Sequence, residues 1–233
     1  MKFHSFLTVL FICISVIYIF YPFIIEQYDN KTLTFTNTQT WDSTLLQTID
    51  RLTEKDKAFI QSLTIDTSPL DNTHHEIRDL INKKKKRTKE RIKDIKKENN
   101  DDPTLQFLFS RFNIQDKKTQ DTMIKVVYKI NPIILYLKKH FNRVRPSFLD
   151  KNIKPVIDTP NHPSYPSGHA TTAYLFAYLL PKKNFTKNYK IADKIAVNRE
   201  IAGVHYKSDT AYGKYLSKKL YKYIKQLSKN DTL

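Results

Sequence analysis

The sequence predicts an all-α protein, a helical bundle that follows an apolar N-terminal segment. Three observations predict it. Apolar residues recur at helical spacing through 119–141 and 187–202, and the apolar run 170–180 reads as a buried helix. No stretch alternates apolar and polar residues as a half-buried strand would. At 233 residues the chain can bury a sizeable core as one domain with extensions, yet it contains only three glycines, at 168, 203 and 213.

The first element is the run from Phe6 to Ile25, apolar apart from Ser and Thr interruptions and Pro22. It is long enough to cross a bilayer as a single transmembrane helix. A cleaved signal peptide has a shorter apolar stretch and small residues at its cleavage site, whereas Tyr18, Phe20, Tyr21 and Phe23 are bulky. An uncleaved signal-anchor is therefore expected over 1–28, with a cleaved signal and a buried core helix as alternatives. Lys2 precedes the run, and Glu26 and Asp29 follow it. The positive-inside rule then puts the rest of the chain on the non-cytoplasmic side: periplasmic, lumenal or extracellular, or secreted if the segment is cleaved. The lone cysteine, Cys13, lies inside this run, so the remainder has neither a disulfide nor a thiol site.

Residues 29–102 read as a polar linker and a basic helical region. One or two short helices are expected up to residue 68, then a long exposed helix from Asp71 to Lys97. Positions 83–97 carry ten Lys or Arg against two acids, which reads as a solvated helical face. Attraction to anionic headgroups is a second reading. Nucleic-acid binding is disfavoured, because no aromatics interleave with the basic residues. The formal charge of +17 rests mostly on lysine and says little about partners.

The break Asn99-Asn100-Asp101-Asp102-Pro103 opens a domain over 103–233. A helical stripe runs through Met123, Val126, Val127, Ile130, Ile133, Ile134 and Leu137, with Pro132 expected to kink or split it. The Pro-rich stretch 147–165 reads as an irregular loop. It leads to Tyr165-Pro166-Ser167-Gly168-His169-Ala170, where Pro166 and Ser167 suit a helix start. Gly168 suggests a tight functional turn, and a helix N-terminus is a ready anion site. A third helix covers Lys187 to Ala202, and Ser208-Asp209 can cap a last one over about 209–228.

Three clusters share this domain: Lys138 with Arg145-Pro146; Ser167-Gly168-His169; and Arg199, His205 and Asp209. Three cations, two histidines and a carboxylate are what phosphoryl transfer to a histidine requires. In order and spacing the clusters resemble the signature of the type 2 phosphatidic acid phosphatase (PAP2) superfamily. That group includes class A non-specific acid phosphatases, lipid phosphate phosphatases and vanadium haloperoxidases. Arg143 adds the Arg-Val-Arg-Pro pattern of the acid phosphatase branch, which this chain resembles most. Asn198 departs from it, standing where a serine is common, and the gap between the second and third clusters is short.

The resemblance implies a PAP2/haloperoxidase-type bundle and a phosphatase acting on phosphate monoesters through a phosphohistidine. Lys138, Arg145 and Arg199, with the Ser167 hydroxyl and Gly168 amide, would bind the phosphate and the charge of its transition state. His205 would be the nucleophile, Asp209 would fix its tautomer, and His169 would protonate the leaving oxygen and then activate water. No metal and no cofactor are implied. His74, His75 and His140 match nothing, and His162 is a candidate rim group. The partner is a phosphate ester, with the membrane reached through the N-terminal segment. Alternatives are a membrane-surface phosphatase for lipid phosphates or isoprenyl diphosphates, a haloperoxidase-like enzyme and an inactive binding module. The helices that carry the motifs are too short or too charged to span a bilayer.

Overall fold

The computed structural model describes residues 43–63, 73–99 and 105–229, which contain ten α-helices, three short 3₁₀ turns and no β-strand. The helices are α1 (Ser43–Ile49), α2 (Glu54–Gln61), α3 (Thr73–Lys83), α4 (Lys89–Glu98) and α5 (Gln106–Phe112). They continue as α6 (Lys117–Phe141), α7 (Pro146–Leu149), α8 (Gly168–Leu179), α9 (Phe185–Ala202) and α10 (Lys207–Lys229). The apolar run 6–25 lies outside the described residues. Among the described residues no helix is long and apolar enough to cross a membrane.

Helix α8 is apolar on every side, as a helix buried all round must be, and it stands between two cores. On one side Leu175 joins Ile130, Ile134 and Leu137 of α6 and Leu216, Leu220 and Ile224 of α10. On the other, Ala173, Phe176 and Ala177 meet Phe109 and Phe112 of α5 and Ala192, Ile195 and Ala196 of α9. The site residues hang from the ends of these four long helices.

Helix α6 follows its predicted stripe, with Met123, Val126, Ile130, Ile133, Ile134 and Leu137 buried. Lys138 lies four residues after Ile134 and so is carried inward on the same face. Asp116 caps the helix by accepting from the Thr119 amide at 2.7 Å. Pro132 does not split the helix: α6 runs unbroken through it, with the proline ring buried like Ile130, Ile133 and Ile134.

The basic region departs further from expectation. In place of one exposed helix over 71–97 there are two, because Thr88 starts a new one by accepting from the Arg91 amide at 3.1 Å. The region is a solvated face only in part: Lys85, Lys86, Lys89, Lys93, Lys96 and Lys97 are exposed, whereas other cations turn to the bundle. Arg87 donates to the carbonyls of Ile201 at 2.8 Å, Lys154 at 2.7 Å and Ile153 at 3.1 Å. Ile95 is buried against Ile201, Ala202 and Val204. Lys83, Arg87 and Arg91 tie this region to the bundle through Glu200, Ile201 O and Asn198, and Glu98 just beyond it is turned inward.

The glycines also act differently from expectation. A Cβ at Gly168 would meet only Ile134 Cγ2, at an ordinary 3.9 Å, so no tight turn needs this glycine. Gly203 ends α9 at φ +84° in the left-handed region, where glycine is unstrained. Gly213 sets how closely α10 crosses the start of α8. A Cβ there would lie 3.0 Å from Ser167 O, 3.0 Å from Thr171 Oγ1 and 3.2 Å from Ala170 Cβ. We predict that Gly213→Val forces the two helices apart and costs about 1–3 kcal/mol of stability. Urea unfolding measures it, and an unchanged midpoint would contradict the crossing.

Candidate active site

A cavity of about 310 Å³ opens between the N-terminal end of α8 and the ends of α6 and α9. Lys138, Arg145, Gly168, His169, Arg199 and His205 all line it. Ser167 and Asp209 are fully buried and lie behind this lining. Three clusters that are distant in sequence therefore meet at one place.

Each cation is fixed by local structure. Lys138 Nζ donates to the carbonyls of Pro163 at 2.9 Å and Ser164 at 3.0 Å. Arg145 precedes the Pro146 turn and donates from Nε to His162 O and from Nη1 to Val204 O, both at 2.8 Å. Arg199, one turn from the end of α9, donates from Nη2 to Asn99 Oδ1 at 3.1 Å. All three are almost fully buried, and no Asp or Glu lines the cavity beside them. Burial, reinforced by Arg145, pushes the Lys138 ammonium far below the ordinary lysine range. Burial likewise brings Arg145 down to about 9, still a cation at neutral pH. The cavity thus has an excess of positive charge that an oxyanion would relieve.

The tautomer of His205 follows from its two neighbours. Its Nδ1 lies 3.0 Å from Asp209 Oδ2, and a carboxylate only accepts, so Nδ1 carries the proton. Its Nε2 lies 3.4 Å from Arg145 Nη1, which only donates, so Nε2 presents a lone pair. Burial, reinforced by Arg145 and Lys138, pushes this imidazole well below the usual histidine range. The same holds for His169, through burial and Arg199, and for His162, through burial and Lys138. Each shift favours the neutral imidazole.

Asp209 is oriented in turn. Its Oδ2 also accepts from the Tyr206 amide at 3.0 Å, and its Oδ1 accepts from Arg143 at 2.7 Å. Arg143 is fully buried, lies over the Tyr206 ring at 3.8 Å and donates to Glu76 Oε2 at 2.8 Å. Glu76 Oε1 accepts from the Ser208 amide at 2.7 Å. Helix α10 therefore begins two residues earlier than predicted, and its end is satisfied by Glu76 and by Asp209 turned back onto Tyr206. Ser167 caps α8 by accepting from the Ala170 amide at 3.4 Å, and its own amide donates to Asp209 O at 3.0 Å.

Sequence reasoning missed Glu76, Glu98 and Asn99, and gave Arg143 no structural task. It placed His162 at the rim, and the ring lines the cavity with Nδ1 3.2 Å from Arg145 Nη2. His75 and His140 are exposed, and His74 is part-buried away from the cavity. The departure at Asn198 has a physical reason: its amide donates to both oxygens of Glu98, at 3.1 and 2.9 Å, and accepts from Arg91 at 2.8 Å. Among the described residues no group of three or more His, Cys, Asp or Glu is placed to hold a metal ion.

The depressed histidines fix a pH dependence. Below the ordinary histidine value of 6.5 the unfolded chain takes up protons that the buried rings refuse. Stability is therefore lost as pH falls through about 6.5, by up to about 1.4 kcal/mol per pH unit for each such ring. We predict a falling Tm below that pH, with a shallower fall in the His169→Asn/His205→Asn double variant. An equal slope in both proteins would contradict it.

Residues 123–229 match the model of the PAP2 superfamily. Among solved structures, the chain is similar to a bacterial vanadium-dependent iodoperoxidase at 17% identity and a TM-score of 0.51, over 66% of this chain and 48% of that one. It thus spans about half the length of that enzyme. It is also similar to a transmembrane PAP2-type phosphatidylglycerolphosphate phosphatase from Bacillus subtilis, at 17% identity and a TM-score of 0.41, over 90% and 94% of the two chains. No curated protein matches the sequence. The matched residues 123–229 carry all three clusters.

Proposed function

We propose that this protein is a metal-independent phosphatase that hydrolyses phosphate monoesters through a phosphohistidine at His205. One observation carries the reading: a neutral imidazole, with its lone pair on Nε2, stands among three buried cations that no lining acid offsets. Lys138, Arg145 and Arg199 would bind the equatorial oxygens of a phosphoryl group, with the Gly168 amide at the start of α8 and the Ser167 hydroxyl. His205 Nε2 attacks phosphorus in line, the P–N bond forms and the ester P–O bond breaks. His169 gives its proton to the leaving oxygen. Water then attacks phosphorus, its proton passes to His169, and the P–N bond breaks to release phosphate. Burial and Arg199 lower the proton affinity of His169. A bound dianion counters both and restores the proton affinity that the first step needs.

A second reading, a phosphatase for lipid phosphates or isoprenyl diphosphates at a membrane surface, has its own observation. Away from the cations the cavity is walled by Leu45, Leu105, Phe107, Val127, Ile134 and Leu135. An apolar wall suits a hydrocarbon leaving group. The run 6–25 would tether such an enzyme on the non-cytoplasmic face.

The full chain should hydrolyse para-nitrophenyl phosphate in EDTA as well as without it, and tungstate or vanadate should compete. Arg199→Ala should lower kcat/KM by about 100-fold. Loss of activity in EDTA, restored by a divalent ion, would overturn the reading. A kcat/KM for phosphatidic acid far above that for the aryl ester would select the lipid reading.

A further inference from the structure

Helix α4 lies outside the region matched by the family model, yet its last turn reaches the cavity. Glu98 is almost fully buried there and held on both carboxylate oxygens. Asn198 donates to Oε1 at 3.1 Å and to Oε2 at 2.9 Å, and Arg111 Nη2 lies 3.0 Å from Oε1. Asn198 is pinned in turn by Arg91 Nε at 2.8 Å. Three elements, α4, α5 and α9, thus converge on one side chain. The main chain of that residue does something different. Glu98 O lies 3.1 Å from His169 Nε2, while Phe107 packs against the same imidazole with ring centroids 5.8 Å apart.

A carbonyl only accepts, so the proton of the neutral His169 ring is on Nε2. That nitrogen is already engaged. We propose that Glu98 is a positioning residue for His169: clamped by Asn198 and Arg111, it holds its carbonyl on Nε2–H and leaves Nδ1 as the nitrogen that moves the proton. The proposal rests on the reading of His169 as proton donor and acceptor. In the first half-reaction the imidazolium Nδ1–H goes to the leaving oxygen as the ester P–O bond breaks. In the second, Nδ1 takes a proton from water as the new O–P bond forms and the P–N bond breaks. Nε2–H stays on Glu98 O throughout, and the carbonyl stabilises the doubly protonated ring before the first step and after the second. That contact is among the influences raising the proton affinity of His169, against burial and Arg199. Asn198 is therefore a determinant of proton transfer although it touches no reacting atom.

Leaving groups test this, because para-nitrophenolate departs with little protonation and an alkoxide does not. For the full chain, kcat/KM is measured for para-nitrophenyl phosphate and for glycerol phosphate, and the aryl-to-alkyl ratio is compared across variants. We expect Asn198→Ala and Glu98→Ala to raise the ratio by about tenfold, in the direction of His169→Ala, and Glu98→Gln to restore part of the loss. A general structural weakening would lower both rates together. An unchanged ratio in Asn198→Ala and Glu98→Ala, with His169→Ala raising it, overturns the proposal and leaves the proposed function standing. An unchanged ratio in His169→Ala overturns the role of His169 and this proposal with it. The 15N shifts of the His169 ring in the parent protein decide the tautomer whether or not a variant folds. A proton on Nε2 is expected, and a proton on Nδ1 in the free enzyme overturns the assignment.

Discussion

Lys138 and Arg145 are taken out of water and held by backbone carbonyls, with no carboxylate beside them on the cavity wall. Burying charge this way is costly, because carbonyl dipoles replace only part of the lost hydration. Asp209 is shared between His205 and Arg143 and lies behind the lining. The electrostatics of the site therefore favour an anion: burial first, and the neighbouring cations after it, lower the proton affinities of Lys138, Arg145 and three histidines. The surrounding fold holds that excess in place. Helix α6 carries Lys138 inward, Gly203 turns α9 toward His205, and Gly213 lets α10 bring Asp209 against the start of α8.

The two histidines are oriented by different layers of the protein. His205 is set by Asp209, and Asp209 by Arg143 and Glu76, a buried relay that ends in a helix outside the family match. His169 is set by a carbonyl at the end of α4. The region 73–99 thus supplies the outer half of both arrangements, and Asn99 also meets Arg199. A histidine that must attack and a histidine that must exchange a proton need different tautomers. Here His205 carries its proton on Nδ1 and His169 on Nε2, each fixed by an acceptor that cannot donate.

Much of the bundle was legible in the sequence. Helices α6, α8, α9 and α10 follow apolar spacing, and the eight proposed site residues lie within one cavity or just behind its lining. The region before residue 100 was not legible, for a physical reason. Glu76 and Glu98 are single acids in a lysine-rich stretch, and their partners Arg143 and Asn198 are 67 and 100 positions away. Net charge along the chain cannot show which side chain turns inward. A local signal was present at Thr88, a capping residue with Glu90 in the first turn behind it, and it marks the start of α4. Pro132 misled because its cost depends on packing, and here both flanks of the proline are locked into the core.

The central claim is that phosphorus is transferred to His205. The most direct measurement mixes the full chain with para-nitrophenyl [32P]phosphate, quenches in alkali within milliseconds and maps the labelled peptide. The account predicts label on the peptide that contains His205, none in His205→Ala, and label that persists longer in His169→Ala. Turnover with no trapped label in either the parent or His169→Ala, or label on another residue, would contradict it.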